Sequence, residues 1–169
     1  MRSVISRAMV LGLLVCGVNA TLACGQAKQP LPAPTEKRVI YAENADAKKE
    51  IAEALATAAK THRRVILVFG GNWCYDCHAL DAAFRSANIA PILNKNFIVV
   101  HVNIGEYDKN LDLAEKYDVP LKRGVPASAV LDSNGALLYS QRNGEFESAK
   151  RITMDDIAAF LEKWKPAKN

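Results

Sequence analysis

The chain has 169 residues, half of them apolar and 24% charged, the proportions of one globular domain with at most a short appendage. Nine glycines and seven prolines exclude a collagen-like or low-complexity chain. The formal net charge is +4 and no run of lysine and arginine reaches five residues, so the dense basic stripe of a nucleic-acid binder is missing and no nucleic-acid partner is expected.

Residues 1–20 have the three parts of a secretory signal. Arg2 and Arg7 form a cationic start, residues 8–18 are an unbroken apolar run, and small residues follow near Ala20. The run is shorter than the about 20 residues that cross a bilayer. Its removal takes away two arginines and no acid, which halves the net charge. Thr21-Leu22-Ala23-Cys24 is similar to the lipobox of bacterial lipoproteins, although threonine stands where that pattern has leucine. The resemblance implies lipid on Cys24 and a membrane tether through it. The competing expectation is an ordinary cut after Ala20 or Ala23 that leaves Cys24 a free thiol. Residues 24–38 carry Pro30, Pro32 and Pro34 with little apolar bulk, and read as a semi-rigid proline-rich linker. The folded domain is expected over residues 39–165.

Residues 45–60 are alanine-rich, with Ile51, Leu55 and Ala59 on one stripe, and predict a helix. Asn44 or Asp46 can cap its start. Residues 65–69 (VILVF) are a continuous β-branched and aromatic run, the pattern of a strand buried on both faces. Gly70-Gly71-Asn72 ends it, and helical spacing then runs over residues 74–87. Residues 97–104 predict a second buried strand, and residues 110–117 a short helix. Residues 127–131 and 136–140 flank Asp132-Ser133-Asn134-Gly135, a hairpin signal. In the last helix Thr153 and Asp156 make a capping-box pattern ahead of Ile157, Phe160, Leu161 and Trp164. The order is α-β-α-β-α-β-β-α, with a further short strand expected at residues 39–41. It predicts an α/β sandwich: a central mixed sheet with helices on both faces.

Trp73-Cys74-Tyr75-Asp76-Cys77 is the sharpest chemical signal. Cysteines at i and i+3 share a helix face within disulfide reach. The strand-to-helix junction puts Cys74 at a helix N-terminus, where unpaired N–H groups and the helix dipole favour a thiolate. The thiolate is the nucleophile of disulfide exchange. Cys74 is therefore the expected nucleophile and Cys77, deeper in the helix, the resolving thiol.

With this motif after a buried strand, and with Arg123-Gly124-Val125-Pro126 some fifty residues on, the sequence resembles the thioredoxin family, over about residues 39–164. The similarity is greatest to secreted members that handle disulfides in the bacterial cell envelope. It implies a thioredoxin-like fold and a thiol-disulfide oxidoreductase whose redox-active Cys74–Cys77 disulfide serves without a bound cofactor or metal. It also implies a cis peptide bond before Pro126 beside the cysteines, with Trp73, Tyr75, Val125 and Pro126 as the substrate-binding surface. Its partners would be client proteins with disulfides and an upstream electron donor, a membrane or envelope reductase. The implied location is periplasmic or otherwise extracytoplasmic. Many thioredoxins carry a buried aspartate six residues before the first cysteine. Val68 stands there in this chain, so the usual proton relay is in doubt, and Asp76 or water is the candidate replacement. Asp76 opposes a thiolate on Cys74 by of order 1 kcal/mol, about what the helix terminus contributes the other way. A mildly lowered Cys74 pKa follows. That points toward a reductant or neutral exchanger rather than a strong oxidant.

Three other readings compete. Cys74-Tyr75-Asp76-Cys77-His78 also fits the C-x-x-C-H attachment pattern of c-type haem. A zinc site could use both cysteines, with His62, His78 and His101 as scattered further candidates. The domain could also be a non-catalytic binding module clipped by a structural disulfide. Tyr107, Tyr117, Phe146 and Trp164 are expected to pack helices on the sheet, and Lys122 and Arg123 to lie in a solvated loop.

Overall fold

The structure is a computed structural model that describes residues 28–34 and 38–167. The readings on the secretory signal and on Cys24 lie outside those residues.

The first helix, α1 (Ala47–Thr61), starts where Asp46 accepts the Lys49 N–H at 3.1 Å. It buries Ala47, Ile51, Ala54 and Ala58, one residue per turn on a single face. Strand β1 (Arg64–Gly70) follows, then α2 (Tyr75–Phe84), α3 (Ala90–Asn96), β2 (Phe97–Asn103) and α4 (Leu111–Lys116). The hairpin β3 (Ala127–Leu131) and β4 (Leu137–Ser140) precedes α5 (Met154–Trp164).

The sheet has the order β2-β1-β3-β4. β1 pairs parallel with β2, from Arg64 against Phe97 to Gly70 against Asn103. It pairs antiparallel with β3 on its other side. A strand between two others must bury both faces, which is why residues 65–69 lack polar alternation. Val65, Leu67 and Phe69 pack against α1 and α4 on one face. Ile66 and Val68 pack with Leu80, Leu93, Ile157 and Leu161 from α2, α3 and α5 on the other. The expected mixed sheet with helices on both faces is what the chain forms.

The expected helix over residues 74–87 is α2, and a second helix that the sequence reading did not place, α3, follows it. α2 stops at Phe84, and Pro91, expected to end a helix, stands in the first turn of α3. An N-terminal proline costs no helix hydrogen bond, since that N–H has no partner there. Residues 39–41 form no strand. Asn72 claims their backbone instead: Oδ1 accepts the Ile40 and Tyr41 N–H groups at 3.1 and 3.0 Å, and Nδ2 donates to the Tyr41 carbonyl at 2.7 Å. Part of the expected linker is also docked. Pro30 bridges Thr153, the Met154 N–H donates to the Gln29 carbonyl at 2.9 Å, and Leu31 packs on the α2-α3-α5 core. The capping box at Thr153 and Asp156 is formed in both directions.

Candidate active site

β1 delivers the chain to Gly70, and the four residues from Gly71 to Cys74 turn it into α2. Gly70 has no side chain because there is no room for one. A Cβ there would lie 2.6 Å from Cys77 Sγ and 2.8 Å from Tyr41 Cζ, with the Tyr41 hydroxyl nearer still. The next turn places Cys74 as the N-cap of α2, with extended backbone at φ −83° and ψ 109°.

Cys74 and Cys77 are joined in a disulfide, their Cα atoms 5.2 Å apart. The Cys77 N–H donates to Cys74 Sγ at 3.1 Å, so this sulfur holds the place a serine or aspartate oxygen takes at an ordinary helix start. Once the bridge opens, a thiolate on Cys74 faces that N–H and the positive end of the helix dipole. Cys77 lies one turn in, at 1% exposure against 6% for Cys74.

The Val125–Pro126 peptide bond is cis. The Val125 carbonyl oxygen lies 3.5 Å from Cys74 Sγ, and both residues are buried. Gln141, itself buried, donates from Nε2 to the Pro126 carbonyl at 3.1 Å. The strand following Pro126 pairs with β1, so the loop and the cysteines hang from neighbouring strands.

Trp73 and Tyr75 flank Cys74 at 47% and 61% exposure. Trp73 Nε1 donates to the Gly105 carbonyl at 2.8 Å, and its ring lies 5.7 Å from that of Tyr107. Tyr107 was expected among the packing aromatics. It is instead an exposed residue of the loop after β2, with φ at 68°, and it widens the apolar rim that Trp73 begins. Tyr117 and Phe146 are buried in the cores as expected, and Trp164 packs at the edge of one. Lys122 and Arg123 are exposed.

Asp76 has a structural task. One carboxylate oxygen accepts the Ala149 N–H at 3.0 Å, which pins the loop ahead of α5 to the start of α2. His78 Nε2 lies 2.8 Å from the Asn72 carbonyl, in the same turn that holds Tyr41. The two sulfurs of the Cys-x-x-Cys-His run are bonded to each other, and its histidine is engaged in that turn. His101 lies in β2, 3.9 Å from Asp81 of α2, so the scattered histidines of the zinc reading are not gathered at the sulfurs. No group of three or more His, Cys, Asp and Glu placed to hold a metal occurs among the described residues.

Sequence reasoning missed Asn72, Gln141 and Tyr41. Asn72 sits in a Gly-Gly-Asn turn that read only as a strand breaker. Gln141 reaches the Pro126 loop, and Tyr41 the neighbourhood of Cys77 Sγ, from segments whose local pattern carries no sign of it.

Residues 46–133 match the sequence profile described as thioredoxin-like. A solved disulphide isomerase from Xylella fastidiosa Temecula1 is 38% identical to this chain. The match covers 75% of this chain and 96% of that one, with a TM-score of 0.70. The oxidised C-terminal domain of Neisseria meningitidis DsbD shares the fold at 17% identity, over 72% and 98% of the two chains, with a TM-score of 0.54. A thioredoxin from Thermus thermophilus matches at 21% identity over 66% and 81%, with a TM-score of 0.50. No curated protein sequence matches.

Proposed function

Because this chain belongs to the thioredoxin-like family, we propose that it is a thiol-disulfide oxidoreductase that exchanges the Cys74–Cys77 couple with disulfides of client proteins. The observation that carries this reading is the sulfur pair at the N-terminus of α2, with the Cys77 N–H on Cys74 Sγ at 3.1 Å. A bridge meant only to staple the fold needs neither an N-terminal helix position nor a neighbouring apolar rim.

In the reducing direction, the Cys74 thiolate attacks one sulfur of a client disulfide. A Cys74–client bond forms, and the client's other sulfur leaves as a thiolate. Cys77 then loses its proton and attacks Cys74 Sγ. The internal disulfide closes, and the released client thiolate takes up a proton. Two electrons pass from the couple to the client, and a partner reductase must restore them. Trp73, Tyr75 and Val125 supply the docking surface. The Val125 backbone at the sulfur pair suits pairing with an extended client segment. The secretory signal read at residues 1–20 supports action outside the cytoplasm, where such bridges persist. Kinship to a protein named as a disulphide isomerase favours an exchanger or reductant over a strong oxidant.

The test is asymmetric trapping. A Cys77→Ala variant is expected to accumulate mixed disulfides, mapped to Cys74 by mass spectrometry. A Cys74→Ala variant is expected to accumulate none at Cys77. Equal capture by both variants, or by neither, would refute the assignment.

A further inference from the structure

The family's buried acid is replaced by Val68, which packs in the core on the α2-α3-α5 face, and the one acid inside the motif, Asp76, holds Ala149. On the opposite face, a different polar group meets the resolving sulfur. Tyr41 is completely buried, and its hydroxyl has no hydrogen-bond partner among the described residues. That hydroxyl and Cys77 Sγ crowd the same point, the place a Gly70 Cβ would occupy. They are thus no further apart than a direct hydrogen bond or one bridging water allows. An unpaired buried hydroxyl is costly, and here it is held deliberately. Asn72 fixes the Tyr41 backbone through three hydrogen bonds, counting the one to Ile40, and the His101 ring meets the Tyr41 ring edge-on at 5.3 Å.

We propose that the Tyr41 hydroxyl is the donor that receives the Cys77 thiolate when the Cys74–Cys77 bridge opens, a fixed hydrogen bond to the resolving sulfur where other members of the family place a proton-carrying acid. The inference rests on the proposed exchange activity for its use, but the hydrogen bond can be read without any client. Tyr41 keeps its proton throughout. Burial first, and the charge of Asp81 second, hold the phenol far above its usual range, so it acts as a donor and not as a base. In the resolving step Cys77 gives its proton to solvent, the thiolate rests on the Tyr41 O–H, and it then attacks Cys74 Sγ. The client sulfur departs with the electron pair and is protonated in turn. No outside oxidant is needed. The titratable and charged groups around the pair are His101 of β2 and Asp81 of α2, with Arg38 acting on His101. Asp81 disfavours a nearby thiolate, which makes a neutral donor the more useful.

Tyr41→Phe removes the hydroxyl and keeps the ring. Thiolate absorbance is followed against pH in a Cys74→Ser chain, and the Cys74→Ser, Cys77→Ser chain is subtracted so that only Cys77 is read. Loss of a hydrogen bond to the charged form is expected to raise the Cys77 pKa by about one unit. An unchanged or lower value overturns the inference and leaves the proposed function standing. In the intact couple, at a pH above the Cys77 pKa, the same variant is expected to shift the equilibrium with glutathione roughly three- to tenfold toward the disulfide, because the reduced thiolate form loses its donor. A structural role for Tyr41 alone would leave that equilibrium unmoved, which would overturn the inference by a second route. Failure of Cys77→Ala to trap any client, with the Cys77 pKa still responding to Tyr41, would remove the function and not the hydrogen bond.

Discussion

His101 stands in the middle of β2 between Tyr41 and Asp81. Burial holds its pKa below the ordinary 6.5; Asp81 partly offsets this, and Arg38 adds to it. In the unfolded chain the ring takes its proton near 6.5, while the folded chain refuses it until lower pH. Stability from this residue is therefore complete above about pH 6.5 and falls as pH drops below that value. Denaturant melts are expected to show a loss of up to about 1.4 kcal/mol per pH unit in this window. His101→Gln should flatten it, and an unchanged slope would contradict the account. Among single residues, Cys74 and Cys77 were legible because their relation spans three positions and needs only a helix start. Pro126 was legible as a family motif. Tyr41 was not: its tie to Asn72 spans 31 residues, and nothing local distinguishes it from any core tyrosine.

The helices were legible where sequence supplies both the stripe and the cap. In α5 the Thr153 side chain accepts the Asp156 N–H, and the Asp156 carboxylate accepts the Thr153 N–H at 2.9 Å. The Thr153 side-chain hydrogen bond first, and its backbone bond second, hold the Asp156 carboxyl below its usual range. Thr153→Ala is expected to cost about 1 kcal/mol, read as a lower urea midpoint at an unchanged slope. An unmoved midpoint would show that the docked Gln29–Leu31 segment, and not the cap, fixes the start of α5. The end of α2 was legible but α3 was not, because Pro91 signals a helix end and a helix start with equal force. Only packing decides between them: Leu93 of α3 reaches the same core as Phe84 of α2.

At the scale of the molecule, β1 is the organising element. Its two buried faces collect the helices, and its end aims the chain at the sulfur pair. β3, alongside it, begins just after the Val125–Pro126 loop. That the sheet is mixed and covered on both faces followed from the run of strands and helices. The convergence of Tyr41, Asn72, Gln141 and the cysteines did not, since it depends on which segments the sheet brings side by side. The proposed exchange requires that the bridge at the head of α2 open and close reversibly within the folded chain. Equilibration with glutathione buffers of graded ratio, followed by acid quench, alkylation and mass spectrometry, measures this directly. The expected result is a single two-electron transition confined to Cys74 and Cys77, at a potential within the family span of about −270 to −120 mV. A pair that stays oxidised until the protein unfolds would identify a structural clip and contradict the proposed exchange.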